Sequence, residues 1–293
     1  MSDAGNAASS DRSMTRSVSL SMASGSVPPF QWSDLSRAPL HDFPIRDEIL
    51  YQYWRPRRDS DVLEIGPGSG FTAFRLARHT RTVTLVDVAD EAVRDLQRRL
   101  RHCENVRCLR ADVTRPEFID RIEGAAFDAA FALDVFEYVT DPAACLRHLA
   151  AALRPGGELF VTYPNVPPPE GDGVTYFTQA RDLERLLATA GFSQWTVFCV
   201  RPRPWAAFVY GLLHEVPLRV YRRLRRNARE GNPQTYEATW AFQHRQRLEP
   251  YKLALHLLWL GLGSLMRLRG PIFIAGPTAD GILGRQVVIR AWK

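Results

Sequence analysis

Lysine is almost missing from this chain of 293 residues: it occurs only at Lys252 and Lys293. Cysteine is scarce as well. Cys103, Cys108, Cys145 and Cys199 form no CxxC pair, which argues against a disulfide framework and a zinc site and fits buried thiols in a reducing compartment. No apolar run reaches the roughly 20 residues that a bilayer-spanning helix requires. No apolar core follows the arginines near the start, so a secretory signal is not expected, although the composition leaves room for an organellar leader. The formal net charge is nevertheless +6, with a pI near 9.4, and arginine carries almost all of it. Alongside abundant alanine, this reads equally well as a composition bias and as attraction to nucleic acid or anionic lipid.

What the chain does have is apolar residues, at 45%, enough for a packed core of one domain with an elaboration. Residues 1–27 are rich in Ser, Ala and Gly without apolar periodicity and read as a disordered tail. From residue 44 onward, short apolar runs alternate with amphipathic stretches. "DVLEIG", "TVTLVDV", "VRCLRADV", "FDAAFALDV" and "ELFVTYP" read as five strands. "FTAFRLAR", "DEAVRDLQRRLR" and "DPAACLRHLAAALRPGG" read as helices between them, the last opened by Asp141 and Pro142. Strands alternating with helices predict an α/β, Rossmann-like, doubly wound parallel sheet.

Within that frame, "EIGPGSG" falls at the turn from the first strand to the first helix. Gly66, Gly68 and Gly70 let the chain bend sharply and let a ligand meet bare backbone. Asp87 ends the second strand, where a carboxylate can accept from a ribose diol, and Asp112 ends the third on the same rim. The spacing is GxGxG rather than the GxGxxG of dinucleotide sites, and Glu64 stands just before it. A carboxylate there disfavours a pyrophosphate and suits a positively charged ligand such as an ammonium or sulfonium, hence S-adenosylmethionine rather than NAD.

These motifs, in this order and spacing, resemble those of class I S-adenosylmethionine-dependent methyltransferases of the small-molecule type. "VLEIGPGSG" is similar to the family's first motif, "LVDVADEAV" to the second and "RADV" to the third. The stretch from "FDAAFALDV" through "ELFVTYPN" is similar to the fourth and fifth, and "DLERLLATAGF" to the helix before strand six. The resemblance covers about residues 45–200. It implies a seven-stranded sheet whose last strand runs antiparallel beside the fifth. It implies cofactor contacts from Glu64, Gly66, Gly68, Gly70, Asp87, Asp112, Val113, Leu133 and Asp134. Where many relatives carry Glu-His after strand four, this chain has Glu137-Tyr138, so no catalytic imidazole is expected there. Glu137, Tyr138 and Tyr163 are the candidates for the acceptor side, and no metal is expected. His148 reads as packing or surface.

The expected organisation is a tail (1–27), a cofactor-binding core (28–200), a helical insertion between strands six and seven (201–284) and a final core strand (285–293). The insertion contains "VPLRVYRRLRRNAR", with Arg219, Arg222, Arg223 and Arg226 on one side and an apolar stripe on the other. It also contains "LALHLLWLGLGSLM", apolar but too short to span a bilayer. A lid over the acceptor pocket and an anionic membrane surface both fit; nucleic acid fits less well, because aromatic and basic residues do not interleave. The expected function is methyl transfer to a small-molecule or lipid-like acceptor, at oxygen, by a cytoplasmic or peripherally membrane-bound enzyme. The alternatives are an RNA or protein methyltransferase docking through the basic insertion and a non-catalytic cofactor-binding partner subunit.

Overall fold

The computed structural model describes residues 45–163, 180–210, 212, 216, 273–276 and 286–293. Parallel strands β1 (Asp61–Ile65), β2 (Thr82–Asp87), β3 (Val106–Arg110), β4 (Phe127–Leu133) and β5 (Leu153–Tyr163) form the centre of the sheet. The full order is β3-β2-β1-β4-β5-β8-β6-β7, with β6 (Gln194–Pro202), β7 (Phe273–Gly276) and β8 (Gln286–Trp292). The last strand inserts antiparallel between β5 and β6, as the family resemblance implied.

Successive residues of a strand face opposite sides of a sheet, and the two cores follow that alternation. Val62, Val83, Leu85, Phe131 and Phe160 face helices α1 (Ile45–Tyr53), α2 (Phe71–Leu76) and α3 (Asp90–Arg99). Leu63, Ile65, Val86, Ala130 and Val161 face α4 (Glu117–Arg121), α5 (Pro142–Ala152) and α6 (Ala180–Ala190). Burial on both faces explains why these strands read as apolar runs without polar alternation. In α5, Asp141 accepts from the Ala144 amide at 2.9 Å and Pro142 occupies the first turn, where its missing N–H costs nothing.

Two expectations need correction. Seven strands were expected; eight are present among the described residues. The extra one, β7, lies inside the range read as a helical insertion and pairs with β6. Its placement is reinforced by α1: Gln52 Nε2 donates to the Phe273 carbonyl at 3.0 Å and Gln52 Oε1 accepts from the Phe273 amide at 3.2 Å. Four residues, apolar as Phe273, Ile274 and Ala275 are, are too few to announce a strand, which takes its backbone partners from β6. The second correction is at β5, which begins at Leu153 rather than after the glycines. "RPGG" lies within the strand and there meets the chain terminus, with Gly156 N donating to the Lys293 carbonyl at 2.9 Å. Short helix α7 (Pro204–Tyr210) follows β6. The expected tail and most of the 201–284 insertion lie outside the described residues. Among the described residues, no helix is long and apolar enough to cross a membrane.

At the amino ends of the central strands, Arg154 donates to Asp61 and to Asp128, each at 2.7 Å, and Arg81 also pairs with Asp61. The Arg81 guanidinium foremost, with Thr82 and Arg154, holds the Asp61 carboxyl down to about 2 against the opposing effect of burial. A folded-state value below the ordinary 3.8 means that this stabilisation is complete above that pH and is lost as pH falls toward 2. We therefore expect Asp61→Asn to flatten the fall of Tm between about pH 4 and pH 2, relative to wild type, in thermal melts across that window. An unchanged slope would exclude this network from acid unfolding.

Candidate functional site

The strand-to-helix turn after β1 uses its three glycines for three different reasons. All three have positive φ: 59° at Gly66, 57° at Gly68 and 81° at Gly70. At Gly66 a Cβ would lie 2.4 Å from a methyl of Val135, in the segment after β4. At Gly70 a Cβ would lie 2.8 Å from Leu96 and 3.0 Å from Leu100 of α3 and its end. At Gly68 a Cβ would meet no atom within 4 Å. Two glycines therefore let neighbouring elements approach, and the middle one opens onto space at the carboxyl ends of the strands, where α/β sheets bind ligands.

Acids surround that opening. Glu64, on β1, is only 2% exposed and flanked in register by Leu85 and Phe131. Asp87, also 2% exposed, ends β2 and accepts from the Ala89 amide at 2.9 Å, which orients its carboxylate at the rim. Beyond β3, Asp112 Oδ1 accepts from the Thr114 amide at 2.9 Å and from the Thr114 hydroxyl at 2.7 Å. The Ala111 amide donates to the Asp87 carbonyl at 3.0 Å, so the segments holding the two acids are tied together. Val113 is buried beside them.

On the other side of β1, Leu133 ends β4, buried, and Asp134 follows in the left-handed region with φ 52°. Such a conformation costs of order 1–3 kcal/mol and persists only where the surroundings impose it. Here Thr162 of β5 does so twice: its carbonyl accepts from the Asp134 amide at 2.8 Å and its hydroxyl donates to Asp134 Oδ1 at 3.0 Å. A single 3-10 turn, Phe136–Tyr138, then carries Glu137, which is buried, and Tyr138, which is 42% exposed. Tyr163 ends β5 fully buried, its ring 6.0 Å from that of Phe136. Burial, and then the neighbouring Cys199 and Glu137, push its phenol far above the ordinary range. These effects all favour the protonated phenol.

The nine residues expected around the cofactor thus fall on one rim, along β3, β2, β1 and β4. The three acceptor-side candidates lie apart in exposure: Tyr138 at the surface, Glu137 and Tyr163 inside. Sequence reasoning missed Val135 and Thr162, which read as ordinary core residues until β4 and β5 are paired. It also read His148 as packing or surface. The structure has it half-buried against Phe118, as that reading allowed, and adds a 2.7 Å contact from its Nδ1 to the Val113 carbonyl.

Residues 63–159 match the model of the methyltransferase domain family. The core of this chain is a class I S-adenosylmethionine-dependent methyltransferase domain. The ubiquinone biosynthesis O-methyltransferase of Xanthomonas axonopodis pv. citri is 32% identical over 137 residues, which cover 46% of this chain and 56% of that protein. The enzyme of the same name from Idiomarina loihiensis is 30% identical over 123 residues, covering 42% and 50%. The chain spans about half the length of the curated relatives it matches. In fold, the methyltransferase domain is similar to Haemonchus contortus phosphoethanolamine N-methyltransferase 2, solved with phosphomonomethylethanolamine and S-adenosylhomocysteine. The TM-score is 0.52 at 16% identity, over 87% of this chain and 53% of that one.

The three glycines should respond differently to substitution. Gly66→Ala and Gly68→Ala both force a Cβ into left-handed backbone, about 1–2 kcal/mol each. Only Gly66→Ala also meets Val135, so it should be less stable than Gly68→Ala by a further 1–3 kcal/mol or so. Denaturant unfolding of the two variants measures that difference. Equal stabilities would mean that the segment after β4 does not pack on the turn.

Proposed function

We propose that this chain transfers a methyl group from S-adenosylmethionine to an oxygen of a small-molecule or lipid-like acceptor. The observation that carries the reading is the turn at Gly68, open where a Cβ would stand and bordered by the buried carboxylates of Glu64 and Asp87. A cradle of this kind fits a ligand with a ribose diol and a positive centre; a pyrophosphate would face Glu64 at close range. The ubiquinone O-methyltransferase relatives support oxygen as the target and an acceptor with lipid-like character.

When bound, the donor supplies an already activated methyl group. The chain's part is to orient, to exclude water and to manage a proton. In this reading Asp87 accepts from the ribose hydroxyls and Asp112 with Val113 borders the adenine. Glu64, Leu133 and Asp134 line the methionine end. Orientation of acceptor and donor can supply several kcal/mol, up to about 7–11 in the best intramolecular cases. Of the acceptor-side groups, the Glu137 carboxylate is the candidate proton acceptor, Tyr138 offers a hydroxyl at the surface, and Tyr163, its phenol favoured in the protonated form, offers a buried hydroxyl and packing.

Calorimetry tests the core of this proposal. Wild type should bind S-adenosylmethionine and S-adenosylhomocysteine and not NAD. Asp87→Ala should weaken binding by about 1–3 kcal/mol through loss of charge-assisted hydrogen bonds. If NAD binds and the sulfonium donor does not, the assignment is wrong.

A peripheral membrane role is a second reading, favoured by one observation. Phe208, Leu212 and Val216 repeat every fourth residue and are 71%, 54% and 51% exposed. In sequence they lead into Arg219, Arg222, Arg223 and Arg226. An apolar stripe next to basic residues suits an anionic interface, where each arginine contributes roughly 1 kcal/mol. We expect wild type to sediment with anionic vesicles at low salt, and the variant with those four arginines changed to glutamine to remain in the supernatant with donor affinity intact. Wild type staying in the supernatant would leave the insertion as a lid and favour a soluble acceptor.

A further inference from the structure

The structure gives His148 a place in the proposed cofactor site that its sequence position conceals. It sits in the middle of α5, a helix that contributes no residue to the rim. Its Nδ1 lies 2.7 Å from the carbonyl oxygen of Val113. A carbonyl can only accept, so Nδ1 carries the proton and donates. The imidazole also lies against the Phe118 ring of α4, with centroids 6.4 Å apart and planes tilted by 31°. Val113 and Phe118 belong to one buried cluster with Cys145 and Leu149 of α5, so the two groups that the imidazole meets are themselves packed in the core.

The segment so held is short and closely wired. Asp112 Oδ1 is engaged by the amide and hydroxyl of Thr114. The Arg115 amide donates to the Asp112 carbonyl at 3.0 Å, and the Ala111 amide donates to the Asp87 carbonyl, also at 3.0 Å. Each of these bonds is local or runs to the neighbouring strand β2. Among the described residues, His148 adds the side-chain hydrogen bond that ties this backbone to α5, 35 residues away in sequence, beside the packing of the buried Val113 side chain. Without it, the peptide after Asp112 could rotate, carrying the neighbouring backbone groups away from the rim.

We propose that His148 is a positioning residue that sets recognition of the adenine ring: its Nδ1–H fixes the Val113 carbonyl, and thereby the orientation of the Asp112–Val113 backbone and the Asp112 carboxylate that border the base. This rests on the S-adenosylmethionine reading above. It assigns His148 no contact with the donor and no role in proton transfer to the acceptor. Its consequence is selectivity. A purine edge with an exocyclic amino group offers a donor, whereas hypoxanthine offers a carbonyl there, and only a fixed rim distinguishes the two.

The test compares S-adenosylhomocysteine with S-inosylhomocysteine by calorimetry on the full chain, so no acceptor is needed. His148→Phe keeps ring volume and removes the donor. It should weaken S-adenosylhomocysteine binding by about 3- to 10-fold, the range of one lost hydrogen bond, and leave the inosyl analogue little changed, so that the preference for adenine narrows. His148→Asn places an amide nitrogen where Nδ1 stood and should restore the preference; His148→Gln places it one atom farther out and should not. Should His148→Phe fail to fold, the Asn and Gln variants make the comparison between them. The proposal is overturned if the phenylalanine variant keeps the wild-type preference. It is overturned equally if both analogues weaken in parallel, with asparagine giving no rescue, since that is what loss of packing alone would do. Failure of wild type to bind S-adenosylhomocysteine would overturn the cofactor reading itself, and this inference with it.

Discussion

The side chain of Val135 occupies the space that a Cβ on Gly66 would need, and much of the rim follows from that contact. It brings the turn after β1 against the segment after β4, two strands paired in parallel register from Val62–Ala129 to Ile65–Ala132. With those two loops in contact, Gly68 is left facing open space, and the 3-10 turn bearing Glu137 and Tyr138 follows directly after Val135. A larger residue at Gly66 would separate the loops and disturb every group between them. The strain at Asp134 is offset by two bonds from Thr162, so β5 completes a constraint that begins on β1.

The rim acids divide by environment. Glu64 and Asp87 are buried at strand ends, where a charge is costly unless it is met by donors or a cation. Asp112 is partly exposed and already engaged through one oxygen by Thr114. Such a gradient suits a ligand whose positively charged end enters deeply and whose neutral ring lies nearer the surface. The phenol of Tyr163 belongs to a drier region still, held protonated by burial with Glu137 and Cys199 nearby. Proton handling on the acceptor side, in the proposed chemistry, therefore centres on Glu137 and on groups that the acceptor itself brings.

The far half of the sheet has different work. β8 lies between β5 and β6, and Arg290 on it pairs with Glu158 of β5 at 2.7 Å, both side chains nearly buried. Burial pushes the Glu158 carboxyl up while Arg290 opposes the rise, so the pair joins the returning chain end to the centre at some desolvation cost. β7 extends this half outward and is clamped to α1 through Gln52.

By itself the sequence determined what depends on near neighbours. The alternation of apolar runs and amphipathic stretches specifies strands and helices because backbone period is local. The glycine turn behind Glu64 marks the ligand end because only glycine tolerates three left-handed positions in five residues. Asp87 and Asp112 were legible because a strand's end and the rim of a parallel sheet coincide. Tertiary structure decided what depends on distant partners. Which glycine makes room for Val135, which for Leu96 and which faces open space is invisible until the loops are packed. The strand character of residues 273–276 comes from β6, the grip on Asp134 from Thr162 of β5, and the purpose of His148 from a carbonyl on another segment. In each case the residue's own neighbours are consistent with several roles, and the choice among them is made by a contact between segments that chain folding alone brings together.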